Sequence, residues 1–129
     1  MAYTTINKST DHFNTVAYTG TGSTRSITAL DFQPDWVWFK GRSFADAHYI
    51  YDAVRGVGNG IYSHSTAAQS YSSTTLTAFN SDGFTVGSEG GVNGNGQNLV
   101  SWNWKANGAG SSNTDGSITS TVSANTTAG

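Results

Sequence analysis

Turn-forming residues cut this chain into short runs, and the runs are rich in β-branched and aromatic side chains. No window repeats apolar residues at the i, i+3, i+4, i+7 spacing of an amphipathic helix. Runs of this kind between Gly, Asn, Asp and Ser spell strands joined by tight turns, the pattern of a sandwich or barrel. The pattern predicts strands at Asn14–Tyr18, Ser23–Thr28, Asp35–Lys40, Ala47–Tyr51, Gly60–Ser63, Thr75–Phe79, Gly83–Val86 and Leu99–Lys105. "FNSDGFTV" sets Asp82-Gly83 between two apolar runs, a hairpin signal, and "TGTGST" supplies glycines for the first turn. Pro34 stands just ahead of a strand, where its missing N–H costs little. Antiparallel strands in two layers satisfy all of these signals, so the fold class is all-β, an antiparallel β-sandwich.

The interior of such a sandwich has few of the usual materials. Leu, Ile, Val and Phe make up 22 of 129 residues, a fraction that borders on disordered chains. The net charge is only −2, however, and four Trp and six Tyr add burial area that disordered chains lack. The core is therefore expected to lean on aromatics. Trp36-Val37-Trp38-Phe39 is a continuous apolar run, which reads as a strand covered on both faces. In "NLVSWNWKANG", alternation puts Trp102 and Trp104 on one face and Ser101, Asn103 and Lys105 on the other. With the polar set turned to water, Trp36, Trp38, Trp102 and Trp104 are assigned to the structural core.

Three segments follow: an N-terminal arm at 1–12, a β-sandwich domain at 13–108, and a Gly/Ser/Thr-rich segment at 109–129. The last has only Ile118 and Val122 as sizeable apolar residues and builds no core of its own. It reads as a linker or as a strand-donating arm that adds "SITSTV" to a neighbour.

Composition narrows the function classes. Charged residues are 11% of the chain and the six basic ones are scattered, which argues against nucleic acid. No apolar run reaches membrane-spanning length, so no membrane insertion is expected. Cysteine does not occur, which excludes disulfides and thiolate metal sites. "MAYTTINKSTDHF" lacks the basic and apolar regions of a signal peptide. A surface-type composition without a leader suggests assembly in a cytosol and later exposure, as virion parts undergo.

Chemical motifs are sparse. Neither of the glycine-rich loops "RGVGNGIY" and "SEGGVNGNGQN" has dinucleotide or P-loop spacing. Glu89, Asn93, Asn95 and Gln97 in the loop Ser88–Asn98 are candidate ligand contacts and oxygen ligands for Ca2+. The loop lacks EF-hand spacing, so no cofactor is expected. His12, His48 and His64 are far apart in sequence and fit no zincin motif. Asp82 with Glu89, or Asp46 with Asp52, would have to converge for glycoside cleavage. Asp82 reads instead as turn chemistry and Asp52 as a partner of Arg55. The chain reads as a non-enzyme.

"YTGTGSTRSITALDFQPDWVWFKGRS", "YDAVRG" and "FNSDGFTVGSEGGVNGNGQNLVSWNWKANG" together resemble a β-rich domain of uncharacterised function. That domain recurs in structural proteins of marine tailed phages, including cyanophages, and the resemblance covers about residues 13–108. It implies a jelly-roll or concanavalin A-like sandwich in a tail fibre, appendage or capsid-decoration protein on the virion surface, assembled in the host cytoplasm. It carries no site residues across. The expected partners are copies of itself, other virion proteins and a host-surface glycan. Three readings stand: a non-enzymatic structural virion protein, a carbohydrate-binding module using Tyr49, Tyr51, Tyr62, Tyr71 or the Ser88–Asn98 loop, and a polysaccharide hydrolase.

Overall fold

The computed structural model describes residues 8–125. Eleven strands run β1 Phe13–Thr19, β2 Arg25–Ile27, β3 Trp36–Gly41, β4 Tyr49–Asp52, β5 Asn59–Tyr62, β6 Ser70–Tyr71, β7 Leu76–Asn80, β8 Gly83–Val86, β9 Asn98–Trp104, β10 Ser111–Asn113 and β11 Ser120–Val122. A 3-10 turn at Ser9–Asp11 leads into β1, and a one-turn helix, α1 Gly90–Asn93, separates β8 from β9. The eight strands expected from the sequence are all present, each end within two residues. The dipeptide β6 is too short to show a period of two, and α1 too short to show one of 3.6.

A six-stranded sheet in the order β1-β9-β3-β4-β5-β6 faces a three-stranded sheet in the order β2-β8-β7, and every pairing is antiparallel. The fold is thus all-β and sandwich-like. Asn80 pairs with Gly83, so Ser81 and Asp82 form the two-residue hairpin loop between β7 and β8. Between the sheets, Val37, Phe39, Tyr49 and Tyr51 from the large sheet meet Ile27, Leu76, Phe84 and Val86 from the small one. Leu30, Phe32 and Val92 close the ends from connecting segments. Phe39 and Phe84 cross the gap edge to face, 5.2 Å between centroids. Each such fully buried side chain contributes about 1.5–3 kcal/mol.

At one end of the sandwich a buried amide ties three segments together. Asn93 is buried; its Nδ2 donates to Ser23 O and Gly87 O, both at 2.7 Å, and Thr21 N–H donates to its Oδ1 at 3.0 Å. Gly20 lies so close to this loop that a Cβ there would sit 2.2 Å from Gly94 O. On the free edge of β1, two backbone groups are taken by side chains. Thr15 N–H donates to Asn14 Oδ1 and Arg25 Nη1 donates to Thr19 O, each at 2.9 Å.

The four indoles assigned to the core do not lie in it. In β9 the fully buried residues are Leu99, Ser101 and Asn103, while Trp102 is half-buried and Trp104 is 36% exposed. In β3 the buried residues are Val37, Phe39 and Gly41, and Trp36 and Trp38 are half-buried. Two physical circumstances permit this inversion. Inside, Asn103 Nδ2 donates to Asn14 O at 3.0 Å and to Ser101 Oγ at 3.1 Å, which offsets the cost of burying polar groups. Outside, register places Trp36 opposite Trp104 and Trp38 opposite Trp102, so the indoles bury one another without a second layer.

Of the N-terminal arm, residues 1–7 lie outside the described residues, as do 126–129 of the C-terminal segment. In the segment read as a linker or strand-donating arm, Ser120–Val122 pairs antiparallel with Ser111–Asn113 of the same chain. Asn107 N–H donates to Ser123 Oγ at 2.8 Å, which ties the base of this hairpin to the end of the sandwich.

Candidate functional site

The outer face of the six-stranded sheet carries an aromatic layer. Phe13 from β1 meets Trp104 at 4.7 Å between ring centroids, Trp104 meets Trp36 at 4.4 Å, and Trp36 meets Trp38 at 6.1 Å. Trp38 meets Trp102 at 5.5 Å and the His48 ring at 6.3 Å. The indole planes are inclined by 51° to 71°, so the rings fill one another's flanks edge to face. The Trp38 indole N–H is buried without an acceptor among the described residues.

At the Trp36 end this layer opens into a cleft of about 350 Å³. Its floor and walls come from three stretches of chain: Asp35 and Trp36 at the start of β3, Asp52, Val54 and Arg55 after β4, and Ala106, Thr121 and Ser123 from the C-terminal segment. Asp52 and Arg55 form an ion pair, with Arg55 Nε donating to Asp52 Oδ2 at 2.6 Å and Arg55 N–H donating to Oδ1 at 2.8 Å. Asp35 is 5% exposed; its Oδ1 accepts from Gln33 Nε2 at 2.9 Å and its Oδ2 from Ala106 N–H at 2.7 Å. The place therefore offers an aromatic wall, a guanidinium and two hydroxyls beside two carboxylates that are already hydrogen-bonded within the protein.

None of the ligand contacts nominated from the sequence lines this cleft, although Tyr49, Tyr62 and Glu89 lie close to one another beside the core. Tyr49 and Tyr51 belong to the core, because their parity in β4 is that of Val37 and Phe39 across the ladder. Burial raises both phenols, Tyr51 to about 12, and for Tyr49 the nearby Asp46 and Glu89 carboxylates add to the effect. Burial likewise raises Tyr18. Tyr62 is half-buried against the core, and its hydroxyl shares a hydrogen bond with Ser70 Oγ at 2.9 Å. Tyr71 alone of the four is open to solvent, 69% exposed, beside a hollow of about 160 Å³ that includes Val57 and Leu76.

In the loop Ser88–Asn98, Asn93 points inward as the loop's anchor, Asn95 is exposed, and Gln97 Oε1 is buried with no donor among the described residues. Glu89 caps α1 through its backbone, its carbonyl accepting from Val92 and Asn93 N–H. The inward turn of Asn93 removes it from a Ca2+ ligand set. Among the described residues no group of three or more His, Asp or Glu is placed to hold a metal ion.

Neither nominated carboxylate pair comes together along the fold: Asp82 precedes β8 and Glu89 follows it, while Asp46 precedes β4 and Asp52 ends it. Histidines distant in sequence do meet, however. His48 N–H donates to His64 Nδ1 at 3.2 Å. The cleft itself was missed, since only the i, i+3 spacing of Asp52 and Arg55 announces any part of it.

No curated protein and no solved structure matches the chain. Residues 8–129 match the model of a family described as a domain of unknown function, DUF7483. With nearly its whole length covered, the chain belongs to the DUF7483 family.

Proposed function

We propose that the protein is a non-enzymatic carbohydrate-binding module carried on a virion surface, assembled in the host cytoplasm, where it contacts a host-surface glycan. The observation that carries this reading is the outward placement of the four indoles, with Trp36 forming part of a polar-walled cleft. Tryptophan beside hydroxyls and a carboxylate–guanidinium pair suits a pyranose, whose C–H face is apolar and whose rim is polar. A hydrolase is disfavoured, because all four oxygens of Asp35 and Asp52 accept hydrogen bonds from protein N–H groups, and neither carboxyl is placed as a proton donor. The virion setting rests on the motif resemblance and on the cysteine-free, surface-type composition. A jelly-roll or concanavalin A-like connectivity goes with it, supported by the pairing of the first sandwich strand with the last, β1 with β9.

Titration with an oligosaccharide panel, followed by tryptophan fluorescence and calorimetry, tests the reading. Binding is expected, with loss of at least about tenfold in affinity for Trp36→Ala, the scale of one removed aromatic contact. A panel without a single binder sinks it.

A second reading has its own support. The inclined, mutually filling indoles look like one half of an interior, which a second copy or another virion protein could complete. In that case light scattering finds an oligomer that Trp104→Glu dissociates, and the glycan panel stays silent.

A further inference from the structure

We infer that the Trp36 cleft selects uncharged saccharides and turns away acidic ones, an inference that rests on the carbohydrate-binding reading. The selection follows from how the charges in the cleft are partnered. Two carboxylates and one guanidinium line it. Arg55 is committed to Asp52, through Nε at 2.6 Å and an ion-pair contact from Nη2 to the same oxygen. That pair cancels itself.

Asp35 is left over, and its two hydrogen-bond donors, the Gln33 amide and the Ala106 backbone N–H, are neutral. A nearly buried carboxylate held by neutral donors keeps its field, because water does little to screen it. A uronate, sialate or sulfate entering beside Trp36 would meet that field with no free cation among the lining residues.

The same partnering says how a neutral sugar is held. Asp35 and Asp52 already accept hydrogen bonds within the protein, and the hydroxyls that line the cleft add donors. Ser123 Oγ accepts from Asn107 N–H and keeps its own proton to give, and Thr121 adds a second hydroxyl. Ligand hydroxyl, ring and N-acetyl carbonyl oxygens are the matching acceptors. The C-terminal hairpin, which supplies these hydroxyls, becomes one wall of the site.

The test uses the full chain and two matched sets of oligosaccharides: neutral hexose and N-acetylhexosamine oligomers, and their uronic-acid and sulfated counterparts. Neutral oligomers are expected to bind at least about tenfold more tightly, the scale of one poorly screened like-charge contact. Asp35→Asn should narrow that gap severalfold while a thermal melt confirms folding, since the Gln33 amide can turn to accept from the new carboxamide. Asp52→Asn, which leaves Arg55 without its charged partner, should narrow it as well and serves if the first variant does not fold. Equal or tighter binding of acidic oligomers by the unmodified protein overturns this inference while leaving the carbohydrate reading intact. An unchanged gap in folded variants of both kinds overturns the role given to Asp35. Silence from both sets overturns the carbohydrate reading, and this inference with it.

Discussion

The two faces of β9 differ in a direction opposite to their chemistry. Leu99, Ser101 and Asn103 are sealed between the sheets, while Val100, Trp102 and Trp104 look outward. The inner face succeeds because the Asn103 amide N–H groups and the Ser101 hydroxyl found partners, although Asn103 Oδ1 has none among the described residues. The outer face succeeds because the indoles cover one another across the β3–β9 ladder. Burial here is decided by what stands opposite a residue, and side-chain polarity alone does not predict it.

The comparison is open to direct attack. Phe39→Ala on the inner face should cost about 3–5 kcal/mol, since it empties a site touching both Tyr51 and Phe84. Urea denaturation measures it, and a loss under about 1 kcal/mol would mean that the inner face is not the main core. Asn103→Ala should cost about 1–3 kcal/mol, because Asn14 O and Ser101 Oγ lose their donor in a dry place. A neutral outcome would show that the inner polar pair is not needed.

Alkaline pH probes the inner face without mutation. Burial raises Tyr51 from its ordinary 10.0 to about 12, so the folded chain holds a proton that the unfolded chain has released. That contribution is complete below pH 10 and is lost between pH 10 and 12, at about 1.4 kcal/mol per pH unit for each such tyrosine. Tyr18 and Tyr49 shift the same way and extend the loss upward. Urea melts from pH 9 to 11 should show stability falling. Flat stability would place these phenols in water.

Trp104→Ala on the outer face should cost only about 1 kcal/mol, as a partly exposed ring held by Phe13 and Trp36. A loss as large as that of Phe39→Ala would make the outer layer a second core. Raising salt should move stability least of all, because the Asp52–Arg55 pair is partly solvated and worth about 0–1 kcal/mol.

Strand positions were legible because a run of β-branched and aromatic residues between turn formers has few other uses. Which parity faces inward was not legible in β3 or β9. Val37 and Phe39 are as apolar as Trp36 and Trp38, and Leu99 on one parity of β9 is matched by Val100 on the other. The tie is broken by residues on other strands, such as Phe84 across the gap and Asn14 beside Asn103. The cleft was invisible for a similar reason: Trp36, Arg55 and Thr121 are brought together by the fold from separate segments. Asn93 misled because an asparagine in a glycine-rich loop looks the same in sequence whether it faces a ligand or fastens its own backbone.

The capped margin of β1 governs how crowded copies behave. An incoming chain that tried to prolong the large sheet would find the amide of Thr15 and the carbonyl of Thr19 already occupied by Asn14 and Arg25. Two rungs of the new ladder would then be missing, which weakens pairing at this edge. Copies that met along this margin would lack part of the ladder that a shared sheet needs.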